Sequence, residues 1–308
     1  MALCSRSAVE WGGGRWWITV IAAIAAALAI SQVPTTFAPG SFVLKGPTAW
    51  LLVSPAGEPL VEFGDVGGRR PTSVVALPDG SGLLYTGHRD GGQDGLFLKQ
   101  GEQQELELSI SPGYHGWPAI SPSGKTIAFV HHDAPDSGPI GQHGVMANAQ
   151  LWTRSIRSKA EARLLTSSPG CKASPSFYGE DRLVFGHNSC RGTQGIETID
   201  LSAKLNLRVL HPAVNRKELV PAVSPNRKLL VLARMHYRAL KIVLLSWPEL
   251  KELRELATTP EDQEFASANW TADSTAVLLT SGDQVLKVDV TSGAQQLVWT
   301  FHSVRTAP

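Results

Sequence analysis

Short apolar runs recur along the chain, each directly after a small polar turn. Three clear copies are LPDGSGLLY at residues 77–85, SPSGKTIAF at residues 121–129 and SPNRKLLVL at residues 224–232. Degraded copies begin at Phe177 and Thr271, so that successive copies start 44, 56, 47 and 47 residues apart. A polar turn followed by four or five apolar residues is typical of a hairpin that leads into a buried strand, and spacings of about 45 residues are typical of propeller blades.

Each repeat divides into four strand-like segments, which we name a to d in chain order. In the first repeat these are residues 72–77, 82–87, 95–100 and 105–108. Residues 41–63 contain segments similar to b, c and d of one more blade, and the tail at residues 301–308 could supply its strand a. Closing the ring in this way removes open sheet edges. We therefore predict an all-β fold over residues 41–308: a β-propeller of four-stranded blades, with six blades favoured and five possible.

The N-terminal region has a different pattern. Residues 16–30 (WWITVIAAIAAALAI) carry no charge and follow Arg6 and Arg15. This length suits the hydrophobic region of a signal peptide, with a cleavage site at Ala27-Leu28-Ala29, and extension to Val33 would allow a single transmembrane anchor. We predict a hydrophobic helix in residues 1–33 that is a signal peptide or an anchor. Either one exports the rest of the chain, to the periplasm or another extracytoplasmic space.

Two cysteines flank the turn of the third repeat symmetrically. Cys171 and Cys190 have their midpoint at the centre of that turn, so a regular hairpin would place them opposite each other at a distance that a disulfide tolerates. An exported protein would allow the bond to form. We predict a Cys171–Cys190 disulfide, with two buried thiols as the alternative.

Charge and motifs narrow the possible functions. The formal net charge is +1, which gives no overall field for binding nucleic acid. The chain contains no G-x-S-x-G, H-E-x-x-H or C-x-x-C sequence, and so lacks the signatures of a propeller-bearing serine peptidase, a zinc protease or a redox centre. No cofactor is predicted.

Histidines follow the repeated phrase at the exit of strand b. They are His88, His131, His132, His187 and His236, and equivalent positions in a propeller lie on one face of the disc. His115 precedes strand a of the second repeat on the same face. The longest insertion, residues 131–148, adds Asp133, Asp136 and His143. Long loops on a rigid scaffold often carry binding residues.

The repeats resemble those of TolB-like propellers, also called WD40-like or PD40 repeat proteins. The match is clearest in WPAISPSGKTIAF at residues 117–129 and in GHRDG at residues 87–91, which leads to LFL at residues 96–98. The resemblance implies an extracytoplasmic propeller that acts as a platform for protein interaction. The two degraded copies, which begin at Phe177 and Thr271, have lost the family's Pro-Asp-Gly turn. TolB itself has an additional N-terminal domain, for which the few residues before Ser41 leave no room.

Two functions are consistent with these features. The first is a non-catalytic scaffold that binds a protein or peptide through His115, His131, His132, Asp133, Asp136, His143, His187 and His236, tethered to the membrane or part of a membrane assembly. The second is a metal-dependent lyase or hydrolase with His115, His131, His187 and His236 around the channel, as in similar oligogalacturonate lyases. Three imidazoles converging on one point would favour the second.

Overall fold

The computed structural model describes residues 34, 36–89, 92–110, 113–132, 149–157, 161–168, 170–188, 193–202, 206–214, 217–236, 239–260 and 265–301. These residues form 23 β-strands in six antiparallel sheets, one per blade. None of the described segments is a helix that could span a membrane. The hydrophobic helix predicted in residues 1–33 lies outside the described residues.

The first three blades take up the chain to Leu164. Blade 1 contains β1 (Phe42–Lys45), β2 (Trp50–Val53) and β3 (Pro59–Phe63). Blade 2 contains β4 (Pro71–Ala76), β5 (Gly82–His88), β6 (Asp94–Gln100) and β7 (Leu106–Glu107). Blade 3 contains β8 (Tyr114–Ile120), β9 (Thr126–His132), β10 (Gln150–Ser155) and β11 (Arg163–Leu164).

Three four-stranded blades follow. Blade 4 contains β12 (Cys171–Phe177), β13 (Arg182–Asn188), β14 (Thr193–Asp200) and β15 (Asn206–Val214). Blade 5 contains β16 (Lys217–Val223), β17 (Leu229–His236), β18 (Ala239–Ser246) and β19 (Glu252–Pro260). Blade 6 contains β20 (Phe265–Trp270), β21 (Ala276–Ser281), β22 (Gln284–Asp289) and β23 (Gln295–Thr300).

The first strands of the blades form an inner ring. Each of β4, β8, β12 and β16 contacts the first strand of the next blade, and β1 joins β20 to β4. The second strands pack between the sheets; for example, Val130 of blade 3 shares a buried cluster with Leu183 and Phe185 of blade 4. This is the face-to-face packing expected of strands that are apolar on both sides. The predicted six-bladed propeller is confirmed, and the five-bladed alternative is wrong.

Blade 1 has three strands in the described part of the chain. The Asn269 side-chain amide donates to the Val43 carbonyl, and the Lys45 N–H donates to the Ser267 hydroxyl, so β1 runs antiparallel to β20. Among the described strands of the inner ring, β1 alone runs in this direction. This direction is the one expected of a second strand, which is consistent with the interpretation of blade 1 as strands b, c and d. Residues 302–308, which we expect to supply strand a, lie outside the described residues.

The repeated phrase forms the tight turn between strands a and b. The first residue of three of these turns caps the following strand, because its hydroxyl accepts a hydrogen bond from the strand's first N–H (Ser121, Ser224 and Thr271). The fourth residue has positive φ, which Gly124 adopts at no steric cost. Arg227 and Ser274 adopt the same conformation in two copies that lack this glycine. Pro and Gly in the phrase are thus explained by turn geometry.

The predicted register of the two cysteines is wrong, and the structure does not support the predicted disulfide. Cys171 lies opposite Asn188. The turn is centred on Glu180, half a residue before the predicted centre, and a bulge between Ala173 and Ser176 shifts the register by one more residue. Pro175 lies in this bulge and has no N–H to give to the ladder. Cys171 is a buried thiol, and no disulfide is found in the part of the chain that the structure describes. Cys190 lies outside that part.

Candidate binding face at the loop ends of blades 2 to 4

The disc has two faces that differ in their connections. We call the face with the a–b turns the turn face, and the face with the b–c connections the loop face. Each strand b ends on the loop face. The histidines at or near the ends of β5, β9, β13 and β17 therefore lie on the same side of the disc. The predicted grouping on one face is therefore explained by the topology.

His115 is the innermost of the candidates, and both of its ring nitrogens are engaged by the backbone. Its Nδ1 donates to the Asp94 carbonyl at 3.0 Å, and its Nε2 accepts from the Ile110 N–H at 2.9 Å. These partners fix the neutral tautomer with the proton on Nδ1. The ring is fully buried, and burial lowers the pKa of His115 to about 3. His115 is therefore a structural link between blades 2 and 3.

His131 and His132 are neighbours in β9 but face different blades. His131 lies opposite His115, with the ring centroids 4.8 Å apart, and its ring meets Trp152 edge-on at 5.7 Å. His132 lies opposite Tyr114 and continues the row of Val130, which packs on blade 4. Both side chains are buried. Because side chains alternate along a strand, these two imidazoles cannot serve one common ligand.

Blade 2 carries a histidine–carboxylate pair at its loop end. The Nδ1 atom of His88 lies 2.6 Å from Oδ1 of Asp94, across the first register pair of β5 and β6. Asp94 is buried while His88 is exposed, and burial raises the pKa of Asp94. Thr72 donates a hydrogen bond to the other carboxylate oxygen. The carboxylate orients the His88 ring, and the main-chain carbonyl of the same Asp94 accepts the hydrogen bond from His115.

Blade 4 carries a second pair together with a buried lysine. His187 Nδ1 lies 2.6 Å from Oε1 of Glu197, and the Glu197 side chain is only 3% exposed. Lys172 lies directly opposite His187 in the β12–β13 register and is fully buried. Within the part of the chain that the structure describes, neither Lys172 Nζ nor Glu197 Oε2 has a hydrogen-bond partner. Burial lowers the pKa of Lys172, against a smaller opposing effect of Glu197.

The structure describes the remaining candidate residues only in part. His236 ends β17 on the loop face, but nothing is described of its side chain. Asp133, Asp136 and His143 lie outside the described residues. Among the residues that are described, no three His, Cys, Asp or Glu side chains are close enough together to hold a metal ion. The convergence that would favour a metal enzyme is not found among them.

Sequence reasoning missed two features of this region. One is the buried Lys172. The other is a cavity of about 280 Å³ on the axis, lined by the innermost strands of all six blades. Three residues on its wall have positive φ and directly precede a proline: Trp117, Ser174 and Val220. The recurrent Xaa-Pro three residues before the turn was the available signal, because a proline within a strand indicates a bulge.

Comparison with known proteins gives structural likeness alone. No protein-family model matches the chain, and no curated protein matches its sequence. TolB from Acinetobacter baumannii superimposes with a TM-score of 0.63 at 14% identity, over 90% of this chain and 67% of that one. A putative TolB from Agrobacterium tumefaciens gives 0.60 at 18% identity, over 78% and 85%. An oligogalacturonate lyase in complex with manganese gives 0.58 at 13% identity, over 82% and 70%.

These likenesses define the class of fold. The molecule is a six-bladed β-propeller, and its arrangement is TolB-like, as the repeat sequences predicted. Propeller-containing peptidases also superimpose, among them a Mycobacterium tuberculosis puromycin-hydrolyzing peptidase of which this chain covers 46%. The fold is thus shared by TolB proteins and by enzymes, and the function of this chain has to be argued from its site.

Proposed function

We propose that the protein is an extracytoplasmic scaffold that binds a protein or peptide on its loop face without catalysing a reaction. The observation that carries this proposal is the state of His115. Its two ring nitrogens already bind the backbone, so it is not a ligand or a general base in this arrangement. The candidate that lies nearest the channel therefore supports the scaffold, and the TolB-like fold is consistent with a binding role.

The attachment of the N-terminal segment supports the choice of face. The Phe37 N–H donates to the Gly80 carbonyl and the Gly40 N–H donates to the Pro78 carbonyl, both at 2.9 Å. Gly80 has positive φ, and a Cβ there would lie 1.9 Å from the Phe37 carbonyl oxygen, so this turn accepts the segment only with glycine. The chain thus enters the propeller at the turn face of blade 2.

A leader kept in the membrane would orient the disc. Six residues lie between Ile30 and Phe37, and the seven steps from one Cα atom to the next span at most about 25 Å when fully extended. The turn face would then lie next to the bilayer, with the loop face directed away from it and open to a partner. We propose this orientation for a tethered form, while a cleaved leader would release the same binding face into solution.

Site-specific photocrosslinking tests the proposed face. A photoreactive amino acid at Thr48, Asp65 or His88 on the loop face should give a discrete crosslinked polypeptide in the native cell envelope. The same amino acid at Ser123 or Lys228 on the turn face is the matched control and should give none. Crosslinks from the turn face alone, or a ladder of equal intensity from both faces, would contradict the proposal.

The second candidate is a metal-dependent lyase or hydrolase. It is favoured by the two histidine–carboxylate pairs, since a carboxylate on Nδ1 orients Nε2 toward a metal in many metal sites. The structurally similar oligogalacturonate lyase is in complex with manganese, so a metal-dependent enzyme is worth testing here as well. Elemental analysis of protein purified without chelator separates the candidates: about one equivalent of a transition metal, lost in His187→Ala but retained in Ser123→Ala, would favour the enzyme.

A further inference from the structure

Blade 4 buries two polar groups that the described part of the fold leaves unsatisfied. The Lys172 amine and the Glu197 Oε2 atom are both shielded from solvent, and neither has a hydrogen-bond partner among the described residues. They are close enough for Glu197 to raise the pKa of Lys172 against the effect of burial. A buried ammonium or carboxylate without partners is costly, and such groups in native proteins commonly mark a site for water, an ion or a ligand.

At the equivalent position in blade 3, the fold provides hydrogen-bond partners for the buried side chain. His115 opposes His131 there as Lys172 opposes His187, and His115 bonds to the backbone through both nitrogens. The unsatisfied pair is therefore a property of the blade 4 side chains and not of the propeller geometry. It also involves residues that the proposed function does not use.

The charges of the site define the chemistry that would fit it. Lys172 can only donate hydrogen bonds, and an ionised Glu197 can only accept them. The two formal charges cancel, so a charged ligand would leave one of them uncompensated. A neutral group that both accepts and donates satisfies both atoms at once. Hydroxyl and carboxamide groups have this property, whereas ketones and ethers cannot donate and aliphatic groups can do neither.

His187 forms the outer boundary of the site. Its ring is held on Glu197 Oε1, lies opposite Lys172, and is 18% exposed at the end of β13 on the loop face. Gly195 lies opposite His187 on the other side and adds no side chain. A rotation of the His187 side chain is thus the short route by which a ligand group would reach the buried atoms from the loop face.

We propose that Lys172 and Glu197, covered by His187, form a binding site for the neutral hydroxyl or carboxamide group of a ligand that enters from the loop face. In the ligand-bound form, the group accepts a hydrogen bond from Lys172 Nζ and donates one to Glu197 Oε2. His187 acts as a movable cover: it leaves Glu197 Oε1 while the ligand group enters and returns to this oxygen once the group is bound. The site is separate from the axial cavity, whose lining contains none of these three residues.

Glycerol and acetamide are suitable probes, one for each chemistry. The backbone amide signals of His187, Gly195 and Glu197 are followed by NMR while either probe is added to the full-length protein. A saturable shift with glycerol, with acetamide or with both is expected, and it assigns the preferred group. A response to neither probe would overturn the proposal, as would a linear response equal to that of amides on the turn face.

Three variants test the residues. Lys172→Met and Glu197→Gln keep the shape of their side chains and should each weaken probe binding at least about tenfold, because each removes a hydrogen bond to a charged group. The His187→Ala variant should still bind the probe, and the probe should exchange faster because the cover is removed. Lys45→Met is the matched control on the axial cavity and should bind like the parent. Unchanged affinity in folded Lys172→Met, with folding checked by circular dichroism, would overturn the assignment.

Discussion

Blades 3 and 4 place different chemistry at the same position of the same scaffold. In both, a residue near the start of the inner strand lies opposite the histidine that ends the apolar run of the second strand. In blade 3 this residue is His115, which is bonded on both nitrogens and links two blades. In blade 4 it is Lys172, which is buried without a hydrogen bond. Shared topology thus fixes where a side chain lies but not whether it stabilises the fold.

The contrast separates structural histidines from functional candidates. A buried polar residue whose partners are all backbone atoms contributes to stability, and its replacement should be costly. A buried polar residue without partners costs stability, and its replacement by a matched apolar residue should cost little or even stabilise. Measurements of stability on the two blades should therefore have opposite signs.

The largest expected effect is that of His115→Ala. It leaves the Asp94 carbonyl and the Ile110 N–H unpaired in a buried region and opens a cavity, so we expect a loss of about 3 kcal/mol in the free energy of unfolding. Urea unfolding measures this loss. Leu297→Ala, at an exposed leucine of β23, is a control for truncation itself and should change stability by less than about 0.5 kcal/mol. A similarly small loss of stability in both variants would refute the structural role of His115.

Acid pH should weaken the stabilisation that His115 provides between blades 2 and 3. Burial lowers the pKa of His115 from 6.5 to about 3, so below pH 6.5 the unfolded chain takes up a proton that the folded protein does not. Stability contributed by neutral His115 is present above pH 6.5 and is lost toward pH 3, with a limiting slope of about 1.4 kcal/mol per pH unit.

Unfolding of the parent protein and of His115→Ala at pH 7, 6 and 5 isolates this contribution. The difference between the two should shrink as the pH falls, because the variant has no imidazole to protonate at this position. The remaining ionisable groups are common to both proteins, so their contributions cancel to first order in the difference. A constant difference across this range would mean that His115 is not held neutral by the fold.

On blade 4 the expected change in the free energy of unfolding has the opposite sign. The double variant Lys172→Met with Glu197→Gln removes two buried charges while keeping the volume, and we expect a gain of about 1 kcal/mol in stability. Lys172→Met alone should gain less, since it leaves the Glu197 carboxylate without a nearby positive charge. Thermal and urea unfolding measure both. A loss of more than about 2 kcal/mol in the double variant would show that the pair is satisfied in solution.

The sequence predicted the blades but not the state of these side chains, for a physical reason. A turn followed by an apolar run is a local signal, so the hairpins, the six blades and the loop-face position of the histidines could be predicted. The partners of His115 come from Asp94 in blade 2 and from Ile110 in the connection before β8. Such contacts depend on how blades dock, which local patterning does not encode.

The inner strand of blade 4 shows one wrong register and one missed residue. The register predicted for Cys171 and Cys190 is off by two residues. One residue comes from the turn, which is centred on Glu180 and not half a residue later, and the other comes from the bulge at Ser174-Pro175. The proline was visible in the sequence and indicates a bulge, so this part of the error was avoidable. The burial of Lys172 was not predicted, because it depends on the docked blades.

The smallest expected effect concerns the bulge that blades 3 and 4 share. Ser174 has φ +48°, a left-handed conformation that costs a residue with a side chain about 1–2 kcal/mol. Glycine removes this cost but loses about 0.5–1 kcal/mol through its flexibility in the unfolded chain. We therefore expect Ser174→Gly to stabilise the protein by about 0.5 kcal/mol. Ser176→Gly, two residues along β12 and without positive φ, is the matched control and should destabilise by a similar amount. Equal effects of the two substitutions in urea unfolding would show that the bulge stores no strain. In that case the difference between the blades would reside wholly in His115 and Lys172.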